Sequence, residues 1–201
     1  MDMRKLICLG DSLTFGLRVP HSQAWPRLVS RETGLEVQNL GISGDTTGGM
    51  LARLQNLATT VGYHGTAENM PVLLIMGGSN DIFYAGTDTG ARANIGAMIH
   101  QAMAAHMLPV VGIPLPISPE DAPAGWGKIA DFHRAAAQID AYSGWLKDFC
   151  AAFGVQYVDF RRDFLGEDGT VRRELFVDGL HPNAEGHRLM AQRLIQMGVL
   201  A

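Results

Sequence analysis

Five short apolar runs punctuate the chain: LICL from residue 6, VQNL from 37, VLLIM from 72, VVGI from 110 and VQYV from 155. Between them, apolar residues recur every three or four positions, which is the period of an amphipathic helix. Runs that lack polar alternation suit strands covered on both faces, so the pattern predicts an α/β fold with a five-stranded parallel sheet and helices packed on each side. The clearest helix is expected over 128–153, where Ile129, Phe132, Ala136, Ile139, Tyr142, Leu146, Phe149 and Phe153 mark one face. Weaker periodicity predicts helices over 24–32, 47–60, 91–107 and 184–197. No repeat, low-complexity tract or linker divides the sequence, so residues 1–201 are expected to form a single domain. The proline-rich stretch PLPISPEDAPAGWG at 114–127 reads as a long loop between a strand and a helix.

Open parallel sheets with right-handed crossovers bind ligands beyond the carboxyl ends of their strands. The unusual residues of this chain fall there. The first run ends in Gly10-Asp11-Ser12, the second in Gly41-Ile42-Ser43-Gly44-Asp45 and the third in Gly77-Gly78-Ser79-Asn80-Asp81. The fourth enters the proline-rich loop, and the fifth leads to a segment closing in DGLHPN at 178–183. Each turn alone reads as a cap or a tight bend. Three glycine-rich turns on one rim, with polar residues in each, point instead to a shared site.

A serine hydroxyl is a weak nucleophile until a neighbouring base takes its proton, and a histidine oriented by a carboxylate is the usual base. Ser12 supplies the hydroxyl, while Asp178 and His181, three residues apart, supply the pair; Pro182 stiffens the turn and Asn183 is placed to cap the next helix. Such a base works only when neutral, so activity is expected to rise with pH through the ordinary histidine range, about 6.5. The other histidines compete poorly: His100, His106, His133 and His187 fall on predicted helices, and His21 and His64 lack a carboxylate in a fixed turn. None shows metal-ligand spacing, and no metal site is expected. Donors for a developing oxyanion are the backbone N–H groups of Ser12 and Gly44 and the side-chain amide of Asn80. Asp11 and Asp45 are assigned to bracing their own turns. The substrate pocket is expected between Ile82, Phe83 and Tyr84, on the loop after Asp81, and Leu115, Ile117 and Trp126 of the proline-rich loop.

With these residues in place, the chain resembles the GDSL, or SGNH, hydrolases. GDSL carries Ser12, GISGDT carries Gly44, GSND carries Asn80 and DGLHPN carries Asp178 and His181, in the family's order. The stretch GGSND holds one residue more than a compact GGND, and reading Gly78-Ser79-Asn80-Asp81 as the block absorbs it. The resemblance implies a three-layer α/β/α flavodoxin-like sandwich, Ser12 as nucleophile, His181 as base, Asp178 as its orienting group, the same three oxyanion donors, and no cofactor. ISGDTTGGMLARL is similar to the small bacterial esterases, thioesterases and lysophospholipases of that family. The implied activity is hydrolysis of carboxylic esters, and of thioesters, with small or medium acyl groups. A carbohydrate O-acetyl esterase and a non-catalytic binding protein on the same scaffold are the alternatives.

The resemblance implies a small-molecule ester as partner, and composition argues against polyanionic ones. A formal charge of -4, with Lys and Arg scattered, offers no basic field for nucleic acid. The glycines at 41, 44, 48 and 49 belong to neither phosphate-binding signature, so no nucleotide is expected. The apolar run before the first glycine turn is only four residues long, 6–9, which predicts neither an export signal nor membrane insertion, and hence a cytoplasmic protein. Cys8 and Cys150 fall at apolar positions and read as buried free thiols.

Overall fold

The computed structural model describes residues 5–60 and 70–200, the side chains of 58–60 excepted; His64 lies outside them. The five apolar runs form strands β1 (Leu6–Gly10), β2 (Val37–Gly41), β3 (Val72–Met76), β4 (Leu108–Ile113) and β5 (Gln156–Asp159). All pair in parallel in the order β2-β1-β3-β4-β5. Gly10 lies level with Gly41 on one side and Met76 on the other, so the turns that follow β1, β2 and β3 leave the sheet at one height. That register makes a common rim from three distant parts of the sequence.

Among the described residues, helices α1 (Ser12–Phe15), α2 (Trp25–Thr33), α3 (Thr47–Thr60), α4 (Ser79–Ala85), α5 (Thr89–Ala104) and α6 (Phe132–Phe153) lie between strands, and α7 (Ala184–Gln196) follows the last strand. Successive strand residues point to opposite faces. On β1 and β3, Ile7, Leu9, Leu73 and Ile75 therefore face Met50, Ile95, Ile139 and Leu146 of α3, α5 and α6. Leu6, Cys8, Leu74 and Met76 face Trp25, Leu28, Met190 and Leu194 of α2 and α7. The result is the expected three-layer α/β/α sandwich, in which each fully buried Leu or Ile contributes about 1.5–3 kcal/mol. Both cysteines are buried and free.

Two departures from the periodicity matter for the rim. The residues after Ser12 and after Asn80, which read as turn and loop, are helical. The helix expected from 128 starts only at Phe132, because the Asp131 side chain accepts the Arg134 N–H at 3.0 Å and caps it there. A 3₁₀ turn, Ala124–Lys128, precedes it and leaves Ile129 outside the helix, exposed at the rim. Asn183 caps α7 as expected, accepting from the N–H groups of Glu185 and Gly186, each at 3.1 Å. Among the described residues, no helix is long and apolar enough to cross a membrane.

Candidate active site

β1 runs into Gly10, and Asp11 then caps α1 by accepting the Leu13 N–H at 2.9 Å. This fixes Ser12 as the first residue of a short helix, with its side chain turned toward the C-terminal segment. There the Asp178 Oδ1 accepts the backbone N–H of His181 at 2.8 Å and that of Leu180 at 3.3 Å, closing a turn around Gly179, whose φ of 72° is left-handed. The turn brings His181 Nδ1 to 3.0 Å from each Asp178 oxygen. His181 Nε2 lies 3.1 Å from the Ser12 Oγ. A carboxylate facing Nδ1 selects the tautomer protonated there, which leaves the Nε2 lone pair for the hydroxyl proton.

The electrostatics fit this polarity. Burial works against charge on Asp178, yet the ring and backbone N–H groups of His181, with that of Leu180, outweigh it and hold the carboxyl down at about 2. Asp11 behaves oppositely: burial pushes it up to about 7, with Asp45 and Asp81 adding to the rise against the Leu13 N–H and His181. A second buried histidine, His187 of α7, accepts the Trp25 N–H at 3.3 Å, and burial pushes its pKa down to about 4, helped by His181. It braces α2 against α7 and does not line the site.

Opposite the histidine stands a wall held by directional bonds. Gly44, at φ 78°, sits between β2 and α3. The following Asp45 pairs with Arg53, whose Nη2 lies at 2.7 Å, and Arg53 also donates to the carbonyls of Leu40 at 2.8 Å and Gly10 at 3.2 Å. Asn80 Nδ2 donates one hydrogen to the Asp45 carbonyl at 2.8 Å, so its orientation is set while the second hydrogen is left for a ligand. Asp81 accepts from Thr47 N at 2.9 Å and Thr47 Oγ1 at 2.6 Å, tying the starts of α3 and α4 together. Gly78, at φ 117°, is required because a Cβ there would lie 2.5 Å from the Tyr142 ring.

A cavity of about 170 Å³ opens between these groups. Ser12, Gly44, Asn80 and His181 form its polar edge, and Leu17, Phe83, Tyr84, Trp126, Ile129, Phe132 and Leu180 form its apolar walls. Trp126 meets His181 edge-on at 5.8 Å and stacks on Phe132 at 5.8 Å, which in turn packs on Phe83 at 5.1 Å. Phe83, Tyr84 and Trp126 are thus at the pocket as the sequence suggested. Ile82, Leu115 and Ile117 are not: all three are buried in the core. Ile82 turns inward because α4 is a helix, and Leu115 and Ile117 pack into opposite layers of the sandwich. The walls overlooked in the sequence are Leu17, Ile129, Phe132 and Leu180; Leu180, between Asp178 and His181 in DGLH, is the one whose neighbours gave a signal. A further contact had no sequence signal: Arg18 Nε donates to Asp178 Oδ2 at 3.1 Å.

Comparison with known proteins agrees with this geometry. The model of the GDSL-like Lipase/Acylhydrolase family matches residues 8–189. Esterase TesA of Pseudomonas aeruginosa is 30% identical over 185 residues, covering 88% of this chain and 79% of that protein. Among solved structures, a member of the lipolytic G-D-S-L family from Veillonella parvula superposes with a TM-score of 0.79 at 23% identity, over 96% of this chain and 97% of that one. The aryl esterase of M. smegmatis superposes with a TM-score of 0.75 at 19% identity, over 98% of this chain and all (100%) of the other. The chain belongs to the GDSL-like lipase/acylhydrolase family, and with it to the carboxylic ester hydrolases.

Proposed function

We propose that this protein hydrolyses neutral esters of small or medium acyl groups through an acyl-enzyme on Ser12. The observation that carries the reading is the continuous chain from Ser12 Oγ through the His181 ring to the Asp178 carboxylate, at 3.1 and 3.0 Å. His181 Nε2 takes the hydroxyl proton as Oγ bonds to the ester carbonyl carbon. The carbonyl electron pair moves to oxygen, where the N–H groups of Ser12 and Gly44 and the free hydrogen of Asn80 receive it. His181 then gives its proton to the departing alcohol, or thiol, as the carbon–oxygen or carbon–sulfur bond breaks. Water attacks the acyl-enzyme by the same route in reverse, releasing the acid and restoring Ser12.

Size and polarity support the substrate class. The cavity, about 170 Å³, is smaller than the roughly 300–1,000 Å³ of sites for drug-sized ligands, which fits a small or medium acyl group. Its walls carry rings and aliphatic groups with no carboxylate, lysine or arginine among them, which favours an uncharged apolar group.

Hydrolysis of p-nitrophenyl esters from acetate to long chains, by the protein and by Ser12→Ala, tests the reading. The expected result is activity greatest on short and medium chains and lost by a factor of at least ~10³ in the variant. Activity confined to acetate and shared with acetylated sugars would favour the carbohydrate esterase. Equal rates in the two proteins would remove Ser12 as nucleophile.

A further inference from the structure

Arg18 occupies a place that its residue type does not favour. It lies in the turn after α1, two residues beyond Gly16, with φ at 77°, in the left-handed region where a side chain costs of order 1 kcal/mol and glycine or asparagine is the usual occupant. The other described non-glycine residue at positive φ, His106, follows α5 in an exposed turn far from the rim in sequence. At Arg18 the backbone strain accompanies a specific long-range contact. The Nε donates at 3.1 Å to Asp178 Oδ2, a partner 160 residues away. The carboxylate is nearly buried, whereas the arginine side chain is 48% exposed, so the guanidinium reaches in from the solvent side of the rim.

That contact completes the bonding of one carboxylate. Asp178 Oδ1 receives the two backbone N–H groups of its own turn, and both oxygens face His181 Nδ1. Arg18 is the group that fastens Oδ2 from outside the turn. Its neighbour Leu17 lines the acyl cavity, so one turn carries both a pocket wall and the outer anchor of the pair that activates Ser12.

We propose that Arg18 is a positioning residue for the catalytic pair: it fixes the Asp178 carboxylate in the plane of the His181 ring and offsets part of its negative charge. The proposal rests on the assignment of Ser12, His181 and Asp178 made above. A fixed carboxylate holds the imidazole aimed at Oγ. An offset one favours the imidazolium less, which keeps the base neutral, and so competent, at lower pH. Among the described residues, the charged and titratable groups set against His181 and its turn are Asp178 in that turn, Asp11 at the start of α1, His187 on α7 and Asp121, which packs against Gly179, with Arg18 beyond the Asp178 carboxylate. The nearby Arg173 is engaged by Asp121. Arg18 is therefore the cation whose removal changes the balance.

The test uses Arg18→Gly, Arg18→Lys and Arg18→Gln in the full chain, with Ser12→Ala beside them, and reads the pH profile of p-nitrophenyl acetate hydrolysis. Glycine suits the left-handed turn, so Arg18→Gly removes the guanidinium while relieving the backbone, and its thermal unfolding temperature is expected to be no lower. We expect kcat at neutral pH to fall about 5- to 10-fold with KM little changed, and the acid limb to move up by about 0.5 pH unit in the glycine and glutamine variants. Arg18→Lys keeps the charge without the planar fork and should restore the limb more than the rate. Added salt should move the wild-type limb toward that of the variants and leave theirs in place, because the pair is half-exposed and screened. If a folded Arg18→Gly or Arg18→Gln keeps the wild-type acid limb and kcat, the proposal fails, while loss of activity in Ser12→Ala keeps the nucleophile assignment standing. If Ser12→Ala itself remains active, the assignment on which the proposal rests is what fails.

Discussion

The two walls of the cavity are built by different means. On the oxyanion side, the starts of α3 and α4 are laced by hydrogen bonds: Asn80 to the Asp45 carbonyl, Thr47 to Asp81, and Arg53 to Asp45, Leu40 and Gly10. On the facing side, Trp126 stands on a 3₁₀ turn and Phe132 on the first turn of α6, their rings stacked, with Ile129 in the link between them. Hydrogen bonds are directional, so the first wall can place a donor to within a few tenths of an ångström. Apolar contacts are not, so the second fits a shape and tolerates substitution of similar volume. The contrast teaches that, under the proposed function, the donor wall should govern rate and the apolar wall substrate choice.

Breaking the bonded wall should cost far more than trimming the apolar one. Asn80→Ala removes a donor from the proposed oxyanion hole, and kcat on p-nitrophenyl acetate is expected to fall about 10²- to 10³-fold with KM nearly constant. Unchanged turnover in a folded variant would take Asn80 out of that role. Trp126→Ala opens the facing wall and uncovers the edge of His181. Its expected effect is a loss of about 10-fold or less in kcat/KM, rising with acyl length, so that the chain-length profile changes shape rather than merely dropping. A uniform loss across all esters would place Trp126 with the chemistry instead of with selectivity.

The smallest effect on turnover is expected outside both walls, at His187, where stability is the quantity that moves. Its folded pKa of about 4 lies below the ordinary 6.5, so the unfolded chain binds the proton first and stability is lost as pH falls from 6.5 toward 4, by up to about 3 kcal/mol. Asp11 has the opposite sign: raised from 3.8 to about 7, it binds its proton in the folded state and removes stability as pH rises through that interval. The two contributions oppose each other between pH 4 and 6.5. Thermal unfolding followed by circular dichroism should therefore vary little across that window in the wild type. In His187→Gln it should fall steadily with rising pH, and a variant curve as flat as the wild type would contradict the opposition.

What the sequence made legible follows from the range of the interactions involved. The inner strands were plain because parallel strands buried on both faces need continuous apolar runs, as in VLLIM, whereas the edge strands β2 and β5 are only partly covered and carry polar residues. That Ser12, Gly44, Asn80, Asp178 and His181 come together was legible because each follows a strand end or sits in a fixed turn on the same rim. The pocket was harder, since a lining residue is defined by rotation about a helix axis. Ile82 and Phe83 are adjacent, yet α4 turns one into the core and the other to the cavity, and the strength of α4 is hidden in a sequence that reads as glycine turn and loop. Ile129 fits the period of α6 but is cut off by the cap at Asp131, a signal present in the sequence and outweighed by the apolar period. Arg18 carried no signal at all, because its partner is 160 residues distant and its backbone conformation is not written in its residue type.

Parallel pairing also gives the molecule a history. β1 is interior, flanked by β2 and β3, while the turn bearing Asp178 and His181 follows the last strand, and the two halves of the reacting pair are 169 residues apart. As the ribosome releases the chain from its amino end, Ser12 emerges well before the turn that bears its hydrogen-bond partner His181. A nascent chain thus carries the Ser12 hydroxyl without its proposed base until the turn bearing His181 has been made.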